Sequence, residues 1–126
     1  MEVLETCVYA SDLEAARRFY EGVLGLPCFR FDPPRQAFFR AGSGVFLVFN
    51  PEETTRPGPL PAHGAQGSVH VCFRIPETEL ERWRRRLQEA GYAVQEALWP
   101  GGVRSLYVRD PAGNLVELAP ARIWGF

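Results

Sequence analysis

Apolar residues recur along this chain with a period of two in some segments and of about 3.6 in others, and the two periods follow one another in the same order twice. From Val3 to Tyr9 the pattern alternates, with Thr6, Val8 and Ala10 on one face and Glu5, Cys7 and Tyr9 on the other, which predicts a strand. The stretch "SDLEAARRFYEGVLGL" then places Leu13, Ala16, Tyr20 and Leu24 on a helical stripe. Ser11 with Glu14 predicts a capping box, and Gly25 is placed to end the helix. "LPCFRF", "QAFFRAG" and "GVFLVFN" follow as three short aromatic or β-branched runs, separated by Pro or Gly.

After a segment rich in Pro and Gly the order begins again. "VHVCFRI" puts Val69, Val71, Phe73 and Ile75 on one face and His70, Cys72 and Arg74 on the other. "PETELERWRRRLQEAG" predicts a helix that buries Leu80, Trp83 and Leu87, with Thr78 and Glu81 as its capping box and Gly91 as its stop. "YAVQEAL", "VRSLYVR" and "NLVELA" supply three more strands. Asp110-Pro111-Ala112-Gly113 has the chemistry of a tight turn, so the last two strands pair as an antiparallel hairpin. Two βαβββ modules result: residues 1–50, a connection over 51–68, residues 69–119, and a tail over 120–126. The fold class is α+β, with helices covering one side of mixed sheets.

Glu117 sits between Val116 and Leu118 and so points away from the face they bury. The alternation leaves two readings open: a carboxylate solvated or paired with Arg74 or Arg104, or a member of a site. Setting one half against the other matches Glu5 and Cys7 with His70 and Cys72, and aligning "GVFLVFN" with "NLVELAP" sets Phe46 opposite Glu117. Val48, Ser105 and Tyr107 are expected on the same side.

Composition narrows the classes of function. Fourteen basic and fifteen acidic residues leave a net charge of −1 and no run of like charge, which disfavours a nucleic-acid partner. No apolar stretch approaches the roughly 18 residues needed to span a bilayer, so a soluble, cytoplasmic protein is expected. Cys7, Cys28 and Cys72 are sparse and odd in number, which suits reduced thiols. All fourteen basic residues are Arg, so no lysine side chain can serve as a Schiff base or general base. His63, in the Pro-rich connection, is read as a loop residue.

The paired modules, the helix "SDLEAARRFYEGVLGL" and the segment "VRDPAGNLVEL" resemble the vicinal oxygen chelate superfamily, over about residues 3 to 119. That superfamily includes glyoxalase I, extradiol dioxygenases, fosfomycin-resistance enzymes and bleomycin-resistance proteins. The resemblance implies sheets curved into a cup, with metal ligands on the first and last strands of each module. Carried over, those places are Glu5, His70 and Glu117, with Phe46 at the fourth. It implies a divalent metal, Zn, Mn, Fe, Ni or Co, and a small-molecule substrate bound through two oxygens. Phe46 departs from the glyoxalase I pattern, which takes a carboxylate at that place. Tyr107 is then the candidate proton donor, and Cys72, Arg74, Trp99 and Arg104 join Phe46 as candidate substrate contacts.

The function implied is a metal-dependent isomerase, lyase or oxygenase. The alternative is a metal-free binding protein of the bleomycin-resistance kind that sequesters a planar aromatic ligand. Small members of the superfamily pair, and "RIWGF" at the end of the chain suits a homodimer contact.

Overall fold

A computed structural model describes residues 1–126. The chain forms two compact units, Met1–Val69 with Pro111–Asn114, and His70–Asp110 with Leu115–Phe126. Each unit carries one four-stranded mixed sheet, as the doubled pattern predicts. No helix is long and apolar enough to cross a membrane.

In the first unit, β1 (Glu5–Tyr9), β2 (Cys28–Asp32), β3 (Gln36–Ala41) and β4 (Gly44–Phe49) lie in the order β1-β4-β3-β2. β1 runs parallel to β4, and the other pairs are antiparallel. The helix α1 (Leu13–Arg17) is capped by Asp12, whose side chain accepts from Ala15 N–H at 2.9 Å, rather than by Ser11. It continues as a π-helical turn over Arg18–Val23. The wider turn brings two consecutive rings inward, because Phe19 and Tyr20 are both fully buried and meet edge to face at 5.0 Å. The predicted stripe of Leu13, Ala16, Tyr20 and Leu24 is buried along its whole length.

The connection is more structured than its Pro and Gly content suggests. It opens with a short helix, α2 (Pro51–Thr54), capped by Asn50, which accepts from Glu52 N–H at 3.1 Å. Asn114 belongs to this unit and is fully buried. Its amide donates to the Tyr9 carbonyl at 3.0 Å, and its side-chain oxygen accepts from Val69 N–H at 3.2 Å. The residue after the "DPAG" turn is therefore a clamp on two backbone segments, a role that no local pattern announces.

In the second unit, β5 (His70–Arg74), β6 (Gln95–Trp99), β7 (Val103–Arg109) and β8 (Leu115–Ala119) repeat the arrangement as β5-β8-β7-β6. The helix α3 (Leu80–Glu89) buries Leu80 and Leu87 and leaves Trp83 half-buried. No capping box forms: a 3₁₀ turn over Glu77–Glu79 leads into α3, and no side chain caps it. Arg122 in the tail pairs with Glu77 at 2.6 Å, which ties residues 121–124 to this unit while Trp124 and Phe126 stay exposed.

Candidate functional site

Strand register decides which side chains share a face. In the second sheet His70 pairs with Leu115, Cys72 with Glu117, and Tyr107 with Glu117. Alternation then puts His70, Cys72, Ser105, Tyr107 and Glu117 on the face away from α3, because Leu106, Val108, Val116 and Leu118 occupy the buried side.

His70 and Glu117 meet on this open face, with Nε2 of the imidazole 3.4 Å from Oε2 of the carboxylate. The Nδ1 of His70 lies 3.1 Å from the Leu115 carbonyl, which can only accept, so Nδ1 carries the proton in the neutral ring and Nε2 keeps its lone pair. Two acceptors therefore face each other, an arrangement that calls for a cation or a proton between them. Glu117 is 5% exposed, and its Oε1 is buried with no hydrogen-bond partner. An unsatisfied buried carboxylate oxygen is costly unless something binds it.

Tyr107 lies stacked near His70, with ring centroids 6.2 Å apart and planes 29° from parallel. Its phenol is raised above the ordinary value, first by burial and then by hydrogen bonding to Glu117, so it stays protonated as a donor. The Cys72 thiol is pushed up to about 12, first by burial and then by the charge of Glu117. It remains a thiol at neutral pH, which fits a space-filling group better than a nucleophile. Trp99 is half-buried, and its indole N–H donates to Ser105 Oγ at 2.8 Å, so it is fixed by a hydrogen bond within the sheet.

Three expectations are corrected. Phe46 pairs with Thr6 in the parallel ladder, and so faces the helix side. It is fully buried, 4.6 Å from the Tyr20 ring and 6.2 Å from Phe39. Val48, of the same parity, is also buried. The place matching Glu117 belongs instead to Leu47, since Cys7 pairs with Leu47 as Cys72 pairs with Glu117. The ladders set the two halves one residue apart from the match of "GVFLVFN" with "NLVELAP", and a shift of one turns a strand residue to the opposite face. Arg104 also lies off the open face: it shares the parity of Leu106 and pairs with Glu96 at 3.1 Å. Arg74 has the parity of Cys72 and pairs with Ala119 at the end of β5.

In the first unit, Glu5 is exposed at the start of β1. No group of three or more His, Cys, Asp or Glu side chains that could hold a metal ion is present. His63, read from sequence as a plain loop residue, has a partner. Its Nδ1 lies 2.9 Å from the Tyr9 hydroxyl, its ring meets Phe49 edge to face at 4.8 Å, and its backbone N–H donates to Thr54 O at 3.1 Å. The Tyr9 phenol is pushed up to about 12 by burial first and then by Cys7, whose Sγ is 3.7 Å away. Only contact across 54 residues of chain reveals this pair. A cavity of about 720 Å³ in the same unit is lined by Asp12, Glu52, Gln66 and neighbouring residues, and by none of the predicted metal ligands.

The repeated sheets and the open-face pair define a class that comparison with known proteins makes explicit. The chain belongs to the Glyoxalase/Bleomycin resistance protein/Dioxygenase superfamily, whose model matches residues 3–118. Among solved structures it is similar to lactoylglutathione lyase from Agrobacterium tumefaciens, with 40% identity, a TM-score of 0.96, and coverage of 99% of this chain and 97% of that one. It is 31% identical to virulence protein STM3117 of Salmonella typhimurium, over 86% of this chain and 76% of that protein. It is also 30% identical to the putative ring-cleaving dioxygenase MhqE of Bacillus subtilis, over 70% of this chain but only 31% of that longer protein.

Proposed function

We propose that this protein is a glyoxalase-like, metal-dependent enzyme acting on a small substrate that presents two neighbouring oxygens. His70 and Glu117 are its central metal ligands. The observation that carries this reading is the facing of His70 Nε2 and Glu117 Oε2 at 3.4 Å beside an orphaned, buried Oε1. The donor pair fits: an imidazole and a carboxylate suit Zn, Mn, Fe, Ni or Co, and leave positions for water and substrate. When bound, such an ion polarises substrate oxygens as a Lewis acid.

The chain's own residues supply the rest. Leu115 O holds the His70 ring in the tautomer whose Nε2 lone pair is available. Tyr107, protonated and directly across from Glu117, supplies a proton to an oxygen placed beside that carboxylate. Cys72 fills the wall of the face on the β5 side, and Arg74 at the end of β5 is the remaining candidate for a substrate carboxylate. The isomerase and lyase branches are favoured over ring cleavage by the 40% identity to a protein described as lactoylglutathione lyase. A homodimer is part of the proposal, supported by the exposed Trp124 and Phe126 in the tail. The ligand-sequestering alternative drew on an aromatic residue and on a missing ligand at the fourth place: the burial of Phe46 against Tyr20 removes the first, and Leu47 at that place keeps the second.

The test is metal content by elemental mass spectrometry on untagged protein dialysed in metal-free buffer, with His70→Ala alongside. Near-stoichiometric metal that is lost in the variant is expected. Protein that takes up none of the five ions when they are supplied would sink the proposal. Turnover is then sought first with lactoylglutathione, the compound that the similar lyase is named for.

A further inference from the structure

Residues 56–68 carry no helix or strand, yet one histidine pins them to the first unit. The backbone N–H of His63 donates to Thr54 O at 3.1 Å, its ring meets Phe49 edge to face at 4.8 Å, and its Nδ1 lies 2.9 Å from the Tyr9 hydroxyl. Gly64 beside it packs so closely that a Cβ there would come 2.7 Å from Thr55 Cγ2. The polar contact has one direction. The Cys7 thiol donates to the Tyr9 oxygen at 3.7 Å, so the phenol's own proton goes to Nδ1, which is then the lone-pair nitrogen of a neutral ring. Tyr9 keeps that proton at neutral pH, since burial first and then Cys7 push its phenol up to about 12.

A second proton on the His63 ring removes the acceptor. Nδ1 then carries hydrogen, and the Tyr9 oxygen stands between two donors, with its own proton unmatched on a half-buried ring. No neighbour offsets the new charge. The ring faces Phe49 on β4 and Tyr9 on β1, with Cys7 behind the phenol, and none of these is a carboxylate. The acidic groups of α2 are engaged elsewhere: Glu53 pairs with Arg56 at 3.0 Å, and Glu52 lines the cavity of this unit.

We propose that residues 56–68 are a strap gated by pH, pinned to Tyr9 while His63 is neutral and released when its ring takes a second proton. His63 is exposed, so its ring exchanges protons with solvent. Ala65, Gln66, Gly67 and Ser68 form one wall of the cavity of about 720 Å³, and Tyr9, Asp12 and Glu52 lie on its other sides. Release of the strap therefore widens that cavity and uncovers Phe49, which is 9% exposed with the His63 ring upon it. The gate does not depend on the reading of His70 and Glu117 as metal ligands.

The test is ¹⁵N relaxation of the full chain in chelator at about pH 8 and about pH 5, a span over which imidazoles change charge. In the wild type, the backbone order parameters of residues 63–68 are expected to be about 0.85 at the higher pH and below about 0.6 at the lower. The amides of β3 and β4 are the internal reference and stay ordered at both. Tyr9→Phe keeps the ring and loses the hydroxyl, and His63→Ala loses the imidazole from an exposed position. In both variants the strap amides are expected below about 0.6 at either pH. Equal order at the two pH values in the wild type overturns the gate. A loosening at low pH that persists in either variant overturns it too, because the response then lies outside the His63–Tyr9 contact. So does a strap that stays ordered in both variants, since something other than that contact would be holding it.

Discussion

Leu47 holds in the first sheet the place that Glu117 holds in the second, each paired in a parallel ladder with a cysteine, Cys7 and Cys72. One module has a carboxylate there and the other an aliphatic side chain that is 6% exposed. Leu47→Glu places a carboxylate at that position of the first sheet. Without metal it buries an unpaired charge and is expected to lower stability by at least about 2 kcal/mol. Thermal melts measure the loss, and an unchanged midpoint would mean that the side chain at position 47 is not buried.

Phe46 has the opposite role from the one its sequence neighbourhood suggests. Packed on Tyr20 and Phe39 with no solvent exposure, it should behave as core. Phe46→Ala is expected to cost about 3–5 kcal/mol in urea unfolding. A cost below about 1 kcal/mol would mean the ring is not in that core.

Glu117 is expected to be unfavourable for stability in the metal-free chain, since its Oε1 is buried without a partner. Glu117→Gln should leave the metal-free protein as stable or raise stability by up to about 1 kcal/mol. It should also abolish stabilisation by Zn²⁺. The same substitution removes the charge that helps hold the Cys72 thiol up at about 12. Alkylation of Cys72 by iodoacetamide near neutral pH should therefore be slow in the wild type and faster in Glu117→Gln. Equal rates would show that the carboxylate does not act on the thiol.

Glu21 links the end of the first helix to the start of β2. It accepts from Arg17 at 2.8 Å and from Cys28 N–H at 3.0 Å. Bonding to Arg17 first, then to the Cys28 backbone, holds its carboxyl below the ordinary range. A depressed folded-state value contributes stability above the unfolded-state value, and that contribution is lost as pH falls through the folded one. Urea midpoints should therefore fall more steeply in wild type than in Glu21→Gln below about pH 4. Parallel curves would exclude Glu21 as a contributor to acid sensitivity.

Much of the fold is legible in local pattern. Helix stripes such as Leu13, Ala16 and Tyr20, and alternating strands such as His70 to Arg74, state their buried faces directly, because burial selects apolar residues at the period of the element. The "DPAG" turn fixes the pairing of β7 with β8, which carries Tyr107 to Glu117. The site is less legible. Phe46 lies in a run where Val45 to Phe49 are all apolar, so alternation gives no phase, and only the ladder with β1 assigns Leu47 to the open face. Trp99 with Ser105, and His63 with Tyr9, are joined by side chains whose partners no turn or period specifies.

By itself, the sequence determined two βαβββ modules, the face of each clearly alternating strand, and a histidine and a glutamate at the start and end strands of the second module. Those features follow from periodicity and turn chemistry, which act between near neighbours. Only the tertiary structure decided the phase of β4, the 3.4 Å approach of His70 to Glu117, the ion pair that turns Arg104 to Glu96, and the hydrogen bond from Trp99 to Ser105. Each depends on strand register or on distant side-chain pairing, and a one-residue slip that local pattern tolerates turns the side chain to the opposite face.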